Sequence, residues 1–330
     1  MKNIIILLLI AIAITSCEDK IKLELPPEAS QLAVEAKIIN YEYADFINPN
    51  KSYVRASVKL SMTNGYDAGP NGTVSDALVT MFDVTDIKVV DVNTTITNTL
   101  NTALFDTLKS LAGNKLIHKG DGIYESNSMQ GKVNRIYALT IEHNGSTYFS
   151  IDTLKRVPKI DSVLVVNKDK PEFGRAPGYF IELQAKDLVG KGDYYRIKTY
   201  KNEILFNRPS DINLAFDGGF SPTSDNDATK FVFPIANLAV NPGTGISDES
   251  SNGDKSTFVA GDIARIEIWS LSLPSIFFYN QLRNELTNEG LFARPPANLP
   301  CNIINANANG PKAVGWFSAS AVSGKDVVIK

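Results

Sequence analysis

Apolar and polar positions along this chain alternate in short runs with the two-residue period of half-buried strands. "QLAVEAKII" and "YVRASVKLSM" open the series, and "SDALVTMFDV" places Ala77, Val79, Met81 or Phe82 and Val84 along one more strand. In "NRIYALTIEHNGSTYFSID", Ile136, Ala138 and Thr140 face one way and Tyr137, Leu139 and Ile141 the other. Asn144-Gly145 between these runs is a two-residue hairpin signal, because both residues tolerate positive φ. "GDGIYES" reads as a turn leading into a strand, and "DVNTTITNTLNT" as a long loop or irregular edge. Turn residues at regular spacing between short strands predict an antiparallel sandwich.

"LKRVPKIDSVLVV" interrupts the series at Pro158 and begins a second one, predicting a boundary near 156/157. Further strands follow in "GYFIELQAKD", "DYYRIKTYKNEILF", "TKFVFPIANLAV" and "DIARIEIWSLS", separated by two long polar loops, "DINLAFDGGFSPTSDNDAT" and "NPGTGISDESSNGDKST". Loops of that length in a compact domain are often functional. Within the first, Phe216, Gly218, Gly219 and Phe220 form a candidate adaptable aromatic contact for a partner or ligand. "SLPSIFFYNQLRNELTNEG" predicts one helix near 273–289. Ser272 is its N-cap, Pro274 lies in the first turn, Phe278, Leu282 and Leu286 form an apolar stripe and Gly290 ends it. The predicted class is mainly β. It comprises an N-terminal β-sandwich over 31–156 and a C-terminal β-rich domain over 157–330 that carries the amphipathic helix.

The N-terminus has a different pattern. Lys2 precedes "IIILLLIAIAI" at 4–14, eleven residues without a polar side-chain atom. A bilayer-spanning helix needs about 20 such residues, whereas this length suits the apolar region of a secretory signal. Ile14-Thr15-Ser16-Cys17 then reads as a bacterial lipobox, giving a signal peptide over 1–16 and a lipidated Cys17. Three acyl chains there, at about 0.8 kcal/mol per buried CH₂, anchor a protein stably where one does not. Glu18 and Asp19 resemble the signals that carry some lipoproteins to the outer cell surface. Residues 17–30, with Pro26-Pro27, read as an extended tether.

Composition narrows the chemistry. The 330 residues are 43% hydrophobic and 21% charged, a globular balance with room for two domains, and a net charge of −3 disfavours a nucleic-acid partner. With Cys17 acylated, Cys301 has no cysteine to pair with. The two histidines, His118 and His143, offer it no evident base, since His143 falls in the hairpin turn. The chain has no HExxH, CxxC, GxSxG or P-loop. Asp225, Asp227, Asp248, Glu249 and Asp254 are oxygen ligands for calcium in principle, but without the spacing of a known calcium loop. The expectation is no catalytic residue, no metal site and no cofactor. Asp106-Thr107-Leu108, Asp152-Thr153-Leu154 and Asp161-Ser162-Val163 match a short bacterial O-glycosylation pattern.

Taken in order, several segments resemble one family. They are "SCEDKIKLELPPEASQLAVEAKI", "VSDALVTMFD", "GDGIYES", "GKVNRIYALTIEHNGSTYFS", "VPKIDSV", "GDIARIEIWSLS" before "FFYNQL", and "PPANLPCNIINANANGPKAVGWFSASAV". The family is the domain-of-unknown-function 4249 lipoproteins of Gram-negative bacteria. Cys301 stands where that pattern has a glycine. The resemblance implies a fibronectin-like or carboxypeptidase-regulatory-like first half. It also implies an accessory role beside a TonB-dependent β-barrel transporter of the outer membrane, with an unspecified ligand. An adhesin or envelope scaffold is the alternative reading, and a hydrolase of a surface polymer a third.

Overall fold

A computed structural model describes residues 30–47, 53–64, 72–87, 105–126, 128–168, 178–217, 230–234, 258–288, 294–295 and 297–330. The first half supplies β1 (Leu32–Asp45), β2 (Ala56–Met62), β3 (Leu78–Asp83) and a short helix α1 over 105–110. It continues with β4 (Asn114–Lys115), β5 (Ile117–Gly120), β6 (Ile123–Ser126), β7 (Arg135–His143) and β8 (Ser146–Leu154). The second half supplies β9 (Ile160–Lys168), β10 (Gly178–Lys186), β11 (Tyr194–Lys201), β12 (Ile204–Leu205), β13 (Asn213–Phe216) and β14 (Lys230–Pro234). It ends with β15 (Ile263–Leu271), α2 (Leu273–Leu286), β16 (Ile304–Asn305) and β17 (Ala313–Val328). The protein is mainly β, as its alternation indicates.

The strands form three sheets. One has nine strands in the order β12-β11-β15-β17-β1-β2-β6-β5, with β13 also pairing β11. A five-stranded sheet runs β16-β8-β7-β3-β4, and a three-stranded one β14-β10-β9. The large sheet takes strands from both sides of residue 157, because β1 lies beside β17, with Leu32 opposite Ala313 and Asp45 opposite Lys325. That junction is parallel, unlike the antiparallel pairing expected throughout. Its closeness has a local cause: Gly315 has φ +123° and lies so near the Val34 carbonyl that a Cβ would overlap it. Only glycine takes that conformation without strain.

One core fills the space between the layers. Val34, Ala36 and Ile38 of β1, Val58 and Leu60 of β2, Ile266 and Ile268 of β15, and Phe317 and Ala319 of β17 point inward. They meet Val79 and Met81 of β3, Tyr137, Leu139 and Ile141 of β7, and Ile181 and Leu183 of β10. Burying each large side chain contributes about 1.5–3 kcal/mol. The opposite face of β7, Ile136 and Ala138, packs with Phe82, Val84 and Leu108 under α1. The predicted hairpin turn is present, with Asn144 at φ 48° and Gly145 at φ 72° and His143 paired to Ser146.

Helix α2 begins as predicted. The Ser272 hydroxyl accepts the Ser275 N–H at 3.3 Å, and Pro274 sits in the first turn. The helix ends at Leu286, three residues early. Its buried side is Ser275, Ile276 and Phe278, while Leu286 is 45% exposed. The reason is the way it docks: Ile276, Tyr279 and Leu282 pack with residues of β11 and β13 and Phe278 stacks on Trp316 at 4.5 Å, so the expected stripe makes contact at Phe278 and Leu282 and leaves Leu286 outside. Gly290 lies outside the described residues.

Candidate functional site

Along β1, Val34, Ala36 and Ile38 point inward and Glu35, Lys37, Ile39 and Tyr41 outward, and the same two-residue alternation assigns the faces of β11, β15 and β17. On the outward face of the large sheet, register brings together side chains far apart in sequence. Arg196 of β11 stands opposite Trp269 of β15, and Lys198 opposite Glu267. Trp269 stands opposite Val322 of β17, which in turn faces Tyr41 of β1. Lys37 of β1 pairs with Ser318, and Ile39 with Ser320. Because β17 contributes only serines at these positions, Lys37 reaches across it toward the indole. Ile39, Trp269, Val322 and Tyr41 make a small apolar floor.

Cations surround that floor. The Lys198 ammonium lies 3.3 Å from the Trp269 ring centroid and the Lys37 ammonium 5.9 Å from it. The Arg196 guanidinium stacks 4.4 Å above Tyr279 of α2. Such contacts contribute about 0.5–2 kcal/mol each. The indole is held in place: Trp269 Nε1 donates to Glu267 Oε2 at 2.8 Å, and the Tyr200 hydroxyl donates to the same oxygen at 2.9 Å. Glu267 is thereby committed to Trp269 and Tyr200. Among the described residues, no carboxylate pairs with Lys37, Arg196 or Lys198 within 4 Å; the ion pairs of this region are Arg265–Asp326 and Lys325–Asp45. Arg196 Nε is buried without an acceptor, and so is the Ser320 hydroxyl. Burial, then the neighbouring Arg196 and Lys37 charges, push the Lys198 ammonium well below the usual lysine range, against the pull of Glu267 and Glu35.

This arrangement gathers three cations near an aromatic centre, with Glu267 and Glu35 as the acids whose charges reach Lys198. It suits the recognition of an anionic or polar ligand, and it offers no nucleophile–base pair. The other chemical groups are tied elsewhere. The Cys301 thiol donates to the Ile303 and Ala313 carbonyls, and burial raises its pKa. His118 rests against Tyr124 at 5.0 Å, and His143 faces Asp76 at 3.3 Å. Among the described residues, no three of His, Cys, Asp and Glu are grouped to hold a metal ion. An open cleft of about 450 Å³ at the ends of β1 and β17 is lined by Asp45, Lys159, Asp161 and Lys325, whose charges balance.

The residues singled out from sequence fall differently. Cys17, Gly218, Gly219 and Phe220 lie outside the described residues, as do Asp225, Asp227, Asp248, Glu249 and Asp254. Phe216 is described, and it is not part of a loop. It closes β13 and meets Tyr194 edge-on at 6.1 Å, packed with Ile212, Leu214 and Ile276. The stretch "INLAF" reads as polar loop because aspartates bracket it, yet it is a short strand on β11 with Ile212 to Ala215 buried. Tyr194 is two residues before Arg196 on the same face, so Phe216 adjoins the cationic face at the end that α2 covers. Sequence reasoning missed Lys37, Arg196, Lys198 and Trp269. The available signal was their placement at alternate strand positions, which also describes an ordinary solvated face.

Comparison with known proteins agrees with the resemblance read from the sequence. The family model described as Domain of unknown function (DUF4249) matches residues 18–326, and the chain belongs to that family. No curated protein matches it.

Proposed function

We propose that this DUF4249 protein is a lipid-anchored, non-catalytic binding protein of the outer membrane, facing the cell exterior. In this reading it captures or retains the substrate of a TonB-dependent β-barrel transporter. The observation that carries the binding role is the outward face of the large sheet, where Lys37 and Lys198 lie over Trp269 and Arg196 over Tyr279, none of them in an ion pair within 4 Å among the described residues. Scaffolds that bind rather than transform ligands present such preformed polar and aromatic surfaces on rigid strands. The apolar run at 4–14 followed by Thr15-Ser16-Cys17 supports the anchor, and Glu18-Asp19 supports the outward orientation. The transporter partner comes from the family resemblance. Physically, anchoring confines the protein to the plane of the membrane and raises its effective concentration at a barrel in the same membrane.

The anchor and orientation are tested in cells. Metabolic labelling with a fatty acid marks the wild-type chain, and Cys17→Ala abolishes the label. External protease degrades the wild-type protein on intact cells. An unlabelled wild-type chain, or full protection from protease, contradicts the reading.

A further inference from the structure

We propose that the Lys37–Arg196–Lys198 face binds a phosphate-type oxyanion, the phosphate either of a soluble ester or of a lipid headgroup. This deepens the capture role and rests on it. Lys37, Arg196 and Lys198 outnumber Glu35 and Glu267, the acids whose charges reach Lys198, and none of the three is in an ion pair within 4 Å among the described residues, so the face favours an anion. The three cations approach from separate places, one on β1 and two on β11, with the Arg196 guanidinium leaning toward α2. A tetrahedral oxyanion presents oxygens in that many directions, whereas a planar carboxylate presents two. The floor offers one further donor, the Ser320 hydroxyl on β17, which is buried and unpartnered. Glu267 Oε2 accepts from Trp269 and Tyr200, which holds the carboxylate in place beside Lys198, where its charge still acts. Like charges gathered this closely repel: after burial, the Arg196 and Lys37 charges disfavour the Lys198 ammonium, against the pull of Glu267 and Glu35. A bound oxyanion relieves that repulsion and supplies the missing acceptors.

Calorimetric titration of the full-length acylated protein in non-ionic detergent tests this, with two probes at constant ionic strength. The first is inorganic pyrophosphate, and the second is short-chain phosphatidylglycerol below its micelle concentration. Binding is expected for at least one. Arg196→Gln and Lys198→Gln are each expected to raise Kd about tenfold or more, with Lys198→Arg retaining most affinity and Lys119→Gln on β5 changing nothing. Binding of pyrophosphate places the source in a soluble phosphate. Binding of the lipid alone, with the same sensitivity to substitution, places it in the membrane. Absence of binding by both probes overturns the proposal. So does equal affinity for citrate, or a Kd indifferent to the Gln substitutions in variants whose Tm is unchanged. A protein that binds pyrophosphate here yet never purifies with a barrel removes the transporter role and leaves this site standing.

Discussion

The Asp152 carboxylate accepts the backbone N–H of Ala319 at 2.8 Å, a contact between residues 167 apart in the chain. It belongs to a set. β15 stops pairing with β17 at Trp269–Val322, so the alternate amides of β17 before that point need other acceptors. Ser270 Oγ accepts from Ala321 N–H, Asp152 from Ala319 and Asn302 Oδ1 from Phe317. Asp152 Oδ2 also accepts from the Ser275 hydroxyl at 3.2 Å, and the Trp316 indole N–H donates to that same hydroxyl at 3.0 Å. One carboxylate thus joins β8, the start of α2 and β17.

Asp152 makes stability pH-dependent. Burial pushes its pKa up to about 6, opposed by the Ser272 and Ser275 hydroxyls and the Ala319 and Thr153 amides. A folded pKa above the unfolded one means that the folded state holds the proton more tightly. The corresponding stability is present below about pH 4 and is lost as pH rises through 6. The loss is about 3 kcal/mol. Thermal unfolding from pH 4 to 7.5 should show wild type falling relative to Asp152→Asn across that window. A constant difference between the two contradicts this. Asp152→Ala should cost about 2–4 kcal/mol at pH 4, because the Ala319 N–H loses its acceptor, and that cost should shrink as pH rises through 6.

Gly315→Ala should weaken the parallel junction. The φ of +123° is strained for alanine, and the added Cβ meets the Val34 carbonyl. The expected cost is about 2 kcal/mol or more. A lowered urea midpoint, with faster amide exchange in β1 than in the β7–β8 hairpin, is the readout. The exposed neighbour Val314 serves as control, since Val314→Ala should stay within about 0.5 kcal/mol of wild type.

Arg265 and Asp326 form a buried pair, at 2.7 Å and 3.1 Å, with the guanidinium 4.3 Å from the Phe46 ring centre. Asp326→Ala leaves a buried cation and should cost about 3–5 kcal/mol. The double variant Arg265→Met/Asp326→Leu should recover most of that loss, because two apolar groups of similar volume need no desolvation. Chemical denaturation of the three proteins decides it. A double variant no more stable than Asp326→Ala contradicts the account.

Local features were legible in the sequence because their causes are local. Asn144-Gly145 demands its turn, Ser272 and Pro274 start α2, and the two faces of β7 sort as their alternation says. What escaped was set by partners distant in the chain. Nothing in "LAVEAKI" announces that β1 pairs with the last strand, and without that pairing Lys37 and Trp269 have no reason to meet. Leu286 fits a helical stripe but is left exposed, since α2 contacts the sheet mainly through its earlier turns. Cys301 is a free thiol whose hydrogen bonds are with backbone atoms.

The transporter role is met most directly by native purification. The chain is tagged after Lys330, the outer membrane is dissolved in mild detergent, and co-purifying proteins are identified by mass spectrometry. A TonB-dependent β-barrel recovered in stoichiometric amount with the acylated protein is the expected result. The acylated protein recovered alone, in repeated preparations that keep other barrel complexes intact, contradicts it.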